Sequence, residues 1–170
     1  MKITANGITV QYDVEGPVNE PVVTLSHSLA ANLHLWDAQA AALRDRYHVL
    51  RYDVRGHGGS SVPPGPYTLD QMADDLHGLL QALGIAETHL VGISMGGLIG
   101  MTMALRFPRA IRSLVLADTT ACYGPERKVG DEDRGTDITM ARTMHQRIAG
   151  SELSVIPGAA HCSCVEAAGD

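Results

Sequence analysis

The stretch that most constrains this chain is Leu90-Val91-Gly92-Ile93-Ser94-Met95-Gly96-Gly97. An apolar, β-type run over residues 88–93 feeds without a spacer into Gly-x-Ser-x-Gly, and a helical pattern over residues 95–107 follows at once. A chain passes from strand to helix this abruptly through a turn too tight for side chains at the flanking positions, which the two glycines supply. The turn lifts the Ser94 hydroxyl out at the end of a sheet and aims the next backbone N–H at the same space. A five-residue pattern of this kind also arises by chance in glycine-rich sequence. The strand before it and the helix after it are what mark a nucleophile elbow.

The rest of the chain alternates around that turn. Ile3-Thr4-Ala5 and residues 8–14 flank Asn6-Gly7, a two-residue hairpin signal. Val22-Val23-Thr24-Leu25 is a short continuous apolar run, as expected of a strand buried on both faces, and it ends in Ser26-His27-Ser28-Leu29-Ala30. Residues 33–46 read as a helix and residues 49–54 as a strand, broken by Arg55-Gly56-His57-Gly58-Gly59-Ser60-Ser61. After a Pro/Gly loop at 63–66, Thr68-Leu69-Asp70 opens a helix with Met72, Leu76, Leu79, Leu80 and Leu83 on one face, stopped by Gly84. Beyond the elbow helix, which ends at Phe107-Pro108, residues 111–117 read as another buried strand closing at Asp118. Residues 123–137 are polar, 138–148 read as a helix, and 153–156 form a short strand stopped by Pro157-Gly158. Strands alternating with helices predict right-handed βαβ units: an α/β fold, its sheet mostly parallel, with helices on both faces. At 170 residues the expectation is one domain spanning 1–170.

Charge and cysteine content narrow the function classes. A net charge of −6 argues against nucleic-acid binding and against anionic membrane surfaces. The first residues carry no apolar signal core, and no apolar run approaches a membrane span, so a cytoplasmic protein is expected. The three cysteines, Cys122, Cys162 and Cys164, are an odd number and suggest free thiols in a reducing compartment. Cys162 and Cys164 beside His161 lack a second Cys/His cluster to complete a zinc site, so neither metal nor cofactor is expected.

A serine hydroxyl is a weak nucleophile that needs a base, usually histidine, oriented by a carboxylate. On a strand–elbow–helix scaffold the partners follow in the order Ser, acid, His. Only His145 and His161 come after Ser94. His145 falls inside a helix pattern and reads as a solvated surface residue. His161 follows a strand and a turn, on the sheet edge where reacting groups gather, and is the candidate base. For the acid, the pattern does not choose among Asp118, Asp131, Asp133 and Asp137. An oxyanion hole should take one donor from the Met95 N–H at the start of the elbow helix. The second should come from the loop after the 22–25 strand, where the Leu29 N–H is the candidate. His27 in that loop reads as a structural residue rather than a second base.

With these stretches in place the sequence resembles the α/β-hydrolase superfamily, and within it the 3-oxoadipate enol-lactonase-like esterases. The resemblance rests on Ser26-His27-Ser28-Leu29-Ala30, the Tyr52-to-Ser60 segment, Gly92-Ile93-Ser94-Met95-Gly96-Gly97 and Phe107-Pro108 through Asp118. It also rests on Gly130-Asp131-Glu132-Asp133 and Pro157-Gly158-Ala159-Ala160-His161. It implies Ser94 as nucleophile, His161 as base, Asp133 as acid, and the Leu29 and Met95 N–H groups as oxyanion donors. Asp118 stands where some members carry the acid instead. The Arg55-to-Ser60 stretch matches a turn kept for structure.

Two departures set further expectations. Members of that family place a helical cap between the strand ending near Asp118 and the acid-bearing strand, where this sequence has only residues 119–128. The acid-bearing strand itself is reduced to about Lys128-Val129-Gly130. A minimal, capless core is therefore expected, with a pocket open to solvent and an exposed sheet edge through which a homodimer could form. The function expected is hydrolysis of small, accessible carboxylic esters through Ser94, Asp133 and His161, with a small-molecule ester as the partner. The alternatives are a lactonase or perhydrolase using the same triad, and a non-catalytic binding protein whose triad is disabled.

Overall fold

A computed structural model describes residues 1–119, 142–143, 145–146 and 149–153. The N-terminal hairpin pairs β1 (Lys2–Ala5) with β2 (Ile8–Glu15) through Asn6 and Gly7, both at positive φ. Asn-Gly is the pair that such a turn selects, because both central residues must adopt the left-handed region. Four further strands follow: β3 (Val22–Ser26), β4 (His48–Tyr52), β5 (Thr88–Ile93) and β6 (Ile111–Ala117). They form one sheet in the order β1-β2-β4-β3-β5-β6, antiparallel at the hairpin side and parallel from β4 through β6.

Helices cover both faces, as the alternation predicts. On one face lie α2 (Leu69–Ala82) and α3 (Met95–Arg106). Leu76, Leu79, Leu80, Ile99 and Met103 close there over Val10, Leu50, Tyr52 and Leu90. On the other face Trp36 and Ala40 cover Val23, Leu25, Val49 and Ile93. Val23 and Leu25 point one way and Thr24 and Ser26 the other, all four buried, so β3 is enclosed on both sides. Among the described residues no helix is long and apolar enough to cross a membrane.

Two elements differ in extent from the sequence reading, and a third differs in burial. The helix expected over 33–46 is a 3-10 turn, Leu33–Trp36, followed by α1 (Asp37–Leu43). Its first turn is tightened because Asn32 Oδ1 accepts the His34 N–H and Asp53 Oδ1 accepts the Leu33 N–H at 2.7 Å. The strand expected over 49–54 ends at Tyr52, because the Asp53 carboxylate turns away to hold the Leu33 and Gly59 N–H groups. The strand over 111–117 has the expected span but is not buried throughout. Among the described residues β6 pairs only with β5, and Arg112, Ser113 and Val115 are exposed. The expected strand at 128–130, residues 154–156 of the strand expected over 153–156, and the three cysteines lie outside the described residues, and Leu153 itself is not in a strand. Of the 138–148 helix, residues 142–143 and 145–146 are helical.

Candidate active site

Ser94 stands between β5 and α3 at φ 51° and ψ −114°, a conformation that an L-residue adopts only when its surroundings impose it. The two glycines explain the imposition. A Cβ on Gly92 would overlap the Gly96 carbonyl, and one on Gly96 would overlap the Ser26 carbonyl, with the His27 carbonyl oxygen 2.9 Å away. The first turn of α3 therefore presses backbone to backbone against the end of β3. Only glycine at both positions lets the helix start this close to the sheet. Ser94 donates its N–H to the Ala117 carbonyl at 3.0 Å, so the elbow continues the β5–β6 ladder by one residue.

A further clasp comes from Thr119, which the sequence reading did not single out. Its hydroxyl donates to the Ser94 carbonyl at 2.7 Å, and its side chain fills the space that a Cβ on Gly97 would need, 2.6 Å from Thr119 Cγ2. The signal was present in the sequence: two adjacent glycines in the first turn of a helix cost helix stability, and a close approach is what makes them worthwhile. Asp118, between this clasp and β6, sits at φ 43°.

The loop after β3 lies beside the elbow, because β3 and β5 are neighbours with Ser26 opposite Gly92. Two imidazoles hold its backbone. His27 is fully buried; its Nε2 accepts the Val54 N–H at 3.0 Å, so the ring proton is on Nδ1, which donates to the Ser28 carbonyl at 2.7 Å. Burial, assisted by the neighbouring His57 and opposed by the Ser28 bond and by Asp53, holds the His27 pKa below its ordinary 6.5. A neutral ring with both nitrogens committed to backbone is structural, as its sequence position suggested. His57 repeats the pattern: Nε2 accepts the Ala30 N–H at 3.3 Å while Nδ1 faces the Arg55 carbonyl at 3.1 Å.

The Arg55-to-Ser60 turn is held by buried polar bonds. Arg55 donates Nε and a terminal nitrogen to the Asp75 carboxylate at 2.5 and 2.6 Å, and Asn6 Nδ2 donates to the same carboxylate at 2.7 Å. The Asp75 partner raises the Arg55 pKa further. The Ser60 hydroxyl donates to the Asp53 carbonyl and accepts the Gln11 N–H. These bonds run within the turn and to β2, α2 and the first hairpin, in keeping with the structural role read for this turn.

Ser94, Met95 and the Leu29 loop are thus brought to one edge of the sheet, at the carboxyl ends of β3 and β5. Asp133 and His161 lie outside the described residues. His145 is exposed, with its Nδ1 2.9 Å from Ser151 Oγ.

Residues 21–130 match the model of the alpha/beta hydrolase fold. The chain belongs to the α/β-hydrolase family. Among curated proteins it is 41% identical over 122 residues to 3-oxoadipate enol-lactonase 2 of Acinetobacter baylyi, covering 72% of this chain and 46% of the relative. Among solved structures, a hydrolase from Pseudomonas aeruginosa PA01 superposes with a TM-score of 0.71 at 46% identity, covering 74% of this chain and 48% of that one. The enol-lactonase from Burkholderia xenovorans LB400 gives 0.71 at 41%, covering 73% and 48%. The chain spans about half the length of the curated relatives it matches. The matched residues 21–130 contain the parallel strands β3 to β6, the loop after β3 and the elbow.

Proposed function

We propose that this α/β-hydrolase is a serine hydrolase of small carboxylic esters. The observation that carries the reading is the elbow: a serine at φ 51° between glycines whose Cβ positions are occupied by backbone, at the start of a helix. In this reading Ser94 Oγ attacks the ester carbonyl while His161, oriented by Asp133, takes the hydroxyl proton. The tetrahedral oxyanion is received by the Met95 and Leu29 N–H groups. The first N–H groups of a helix have no carbonyl within it, and the helix dipole favours negative charge at that end. One such donor contributes on the order of 3 kcal/mol to the transition state. The alcohol leaves with the proton from His161, and water activated by the same ring then hydrolyses the acyl-enzyme.

A cyclic ester is the second reading, favoured by the names of two matched proteins, both enol-lactonases. Lactone opening uses the same attack, with the leaving alkoxide tethered to the acyl group.

Hydrolysis of p-nitrophenyl acetate by the wild type and by Ser94→Ala tests the mechanism, with a panel of lactones run beside it. The expected loss in the variant is at least on the order of a thousandfold in kcat/KM, since removing a triad nucleophile abolishes the covalent route. Equal rates would remove Ser94 from the chemistry. A folded wild type that neither turns over esters nor reacts with a fluorophosphonate probe would identify a non-catalytic member of the family.

A further inference from the structure

The geometry points to His57 as a positioning residue that fixes the aim of the Leu29 N–H, an inference that rests on the oxyanion role proposed for that group. Leu29 is 69% exposed, so packing does little to hold it, and the residue after it, Ala30, is held at φ 60°, where a residue with a side chain does not settle unaided. The Ala31 N–H closes a turn on the Ser28 carbonyl at 3.3 Å, the Ser28 hydroxyl reaches the Leu29 carbonyl at a long 3.4 Å, and a pair of rings then engages the two peptide planes that meet at the Leu29 Cα. The first plane is Ser28 C=O with Leu29 N–H. His27 Nδ1 donates to that carbonyl, and because a trans peptide sets N–H opposite C=O, the Leu29 N–H is directed away from His27. The second plane is Leu29 C=O with Ala30 N–H, and His57 Nε2 accepts that N–H. Holding one plane leaves the other free to rotate about Leu29. Holding both fixes φ and ψ of Leu29.

The two rings stand 5.2 Å apart, tilted by 59°, so they brace one another as well as the loop. His57 comes from the turn after β4, distant in sequence from both Leu29 and Ser94. Its second nitrogen faces the Arg55 carbonyl, which gives the ring two separable tasks: an acceptor for the Ala30 N–H, and a donor that closes its own turn. The first is the positioning role.

Two side chains separate these tasks. In His57→Gln the longer amide can present its oxygen near the Nε2 position, keeping an acceptor for Ala30 while giving up the Arg55 bond. In His57→Asn the shorter amide can present its nitrogen near the Nδ1 position, keeping the Arg55 bond while leaving Ala30 without an acceptor. The expected result is a kcat for p-nitrophenyl acetate lowered tenfold or more in His57→Asn with KM little changed, and kcat near wild type in His57→Gln. Amide hydrogen exchange at Ala30, read by NMR, should accelerate tenfold or more in the Asn variant and stay slow in the Gln variant. The reverse order, Gln impaired and Asn intact, would make His57 a residue of its own turn and overturn the inference, as would two variants indistinguishable from wild type. If wild type turns over no ester but Ala30 exchange follows the predicted order, the loop assignment stands and the hydrolase reading fails. If ester turnover is present and exchange ignores both substitutions, the hydrolase reading stands alone.

Discussion

A histidine buried in the neutral form makes the site region sensitive to acid at a single residue. His27 has both ring nitrogens committed to backbone groups, one as acceptor and one as donor, and burial holds its pKa below 6.5. In the unfolded chain the same ring takes a proton near its ordinary value. Between the two pKa values the unfolded state therefore binds more protons than the folded state, and stability rises with pH. The contribution of His27 is complete above 6.5 and is lost as pH falls from there toward the lower folded value. Protonation would also turn Nε2 into a donor facing the Val54 N–H. Urea unfolding of wild type and His27→Gln at several values between about pH 7 and pH 5 checks this. The wild type should lose stability more steeply with acid, and parallel curves would show that another group sets the acid limb. His27→Gln should also be less stable at neutral pH, by about 1–3 kcal/mol, because glutamine cannot serve both backbone partners in the ring's geometry.

At the scale of elements, one buried ion pair ties the Arg55-to-Ser60 turn to the helix beside it. Arg55 and Asp75 are both buried, join the turn to α2, and bring in Asn6 of the first hairpin through the same carboxylate. Arg55 also lies 5.7 Å from the Tyr67 ring centroid, which covers the guanidinium just before the helix begins. Asp75→Asn keeps the shape but leaves a buried cation without its counter-charge. A loss of about 3–5 kcal/mol is expected in chemical denaturation. A change below about 1 kcal/mol would mean that water, not Asp75, satisfies the guanidinium. The sequence announced the elements that this pair joins but not the pair itself. Thr68 and Gln71 form a reciprocal cap on α2, and Asn-Gly closes the hairpin, because those signals depend on neighbours in sequence. Arg55 and Asp75 in isolation look like two surface charges, and only the fold buries them together. The same limit applies to Thr119 and His57, whose partners Ser94 and Ala30 are distant in sequence. Conversely, residues 33–46 show how a clean helical pattern can be shortened from outside, here by a carboxylate on the loop after β4 drawing in the first N–H.

For the molecule as a whole, the elbow sits where three parallel strands deliver their ends: β3 brings the Leu29 loop, β5 brings Ser94, and β6 brings Asp118 and Thr119. Two aspartates therefore compete for the role of acid in the proposed triad, and they differ in how the chain uses them. Asp118 occupies a left-handed turn at φ 43°, immediately before the residue that clasps the elbow. Aspartate and asparagine are the non-glycine residues best suited to that conformation, so a backbone reason for Asp118 exists without any catalytic one. Asp133 has no such explanation in the sequence, and it is the position that the family resemblance assigns to the acid. Asparagine substitution separates the two cases. Asp118→Asn keeps a side chain that tolerates positive φ and removes only the charge, so kcat/KM for p-nitrophenyl acetate should stay near wild type. Asp133→Asn should lose on the order of 10⁴-fold, because an amide beside the histidine stabilises the wrong tautomer and no longer supports the imidazolium that forms during attack. A large loss in Asp118→Asn with Asp133→Asn unaffected would move the acid to the end of β6. Full activity in both would mean that Ser94 is activated without either carboxylate. Fluorophosphonate labelling of Ser94 in each variant reports the same order independently of substrate choice, since it too requires the base to take the serine proton.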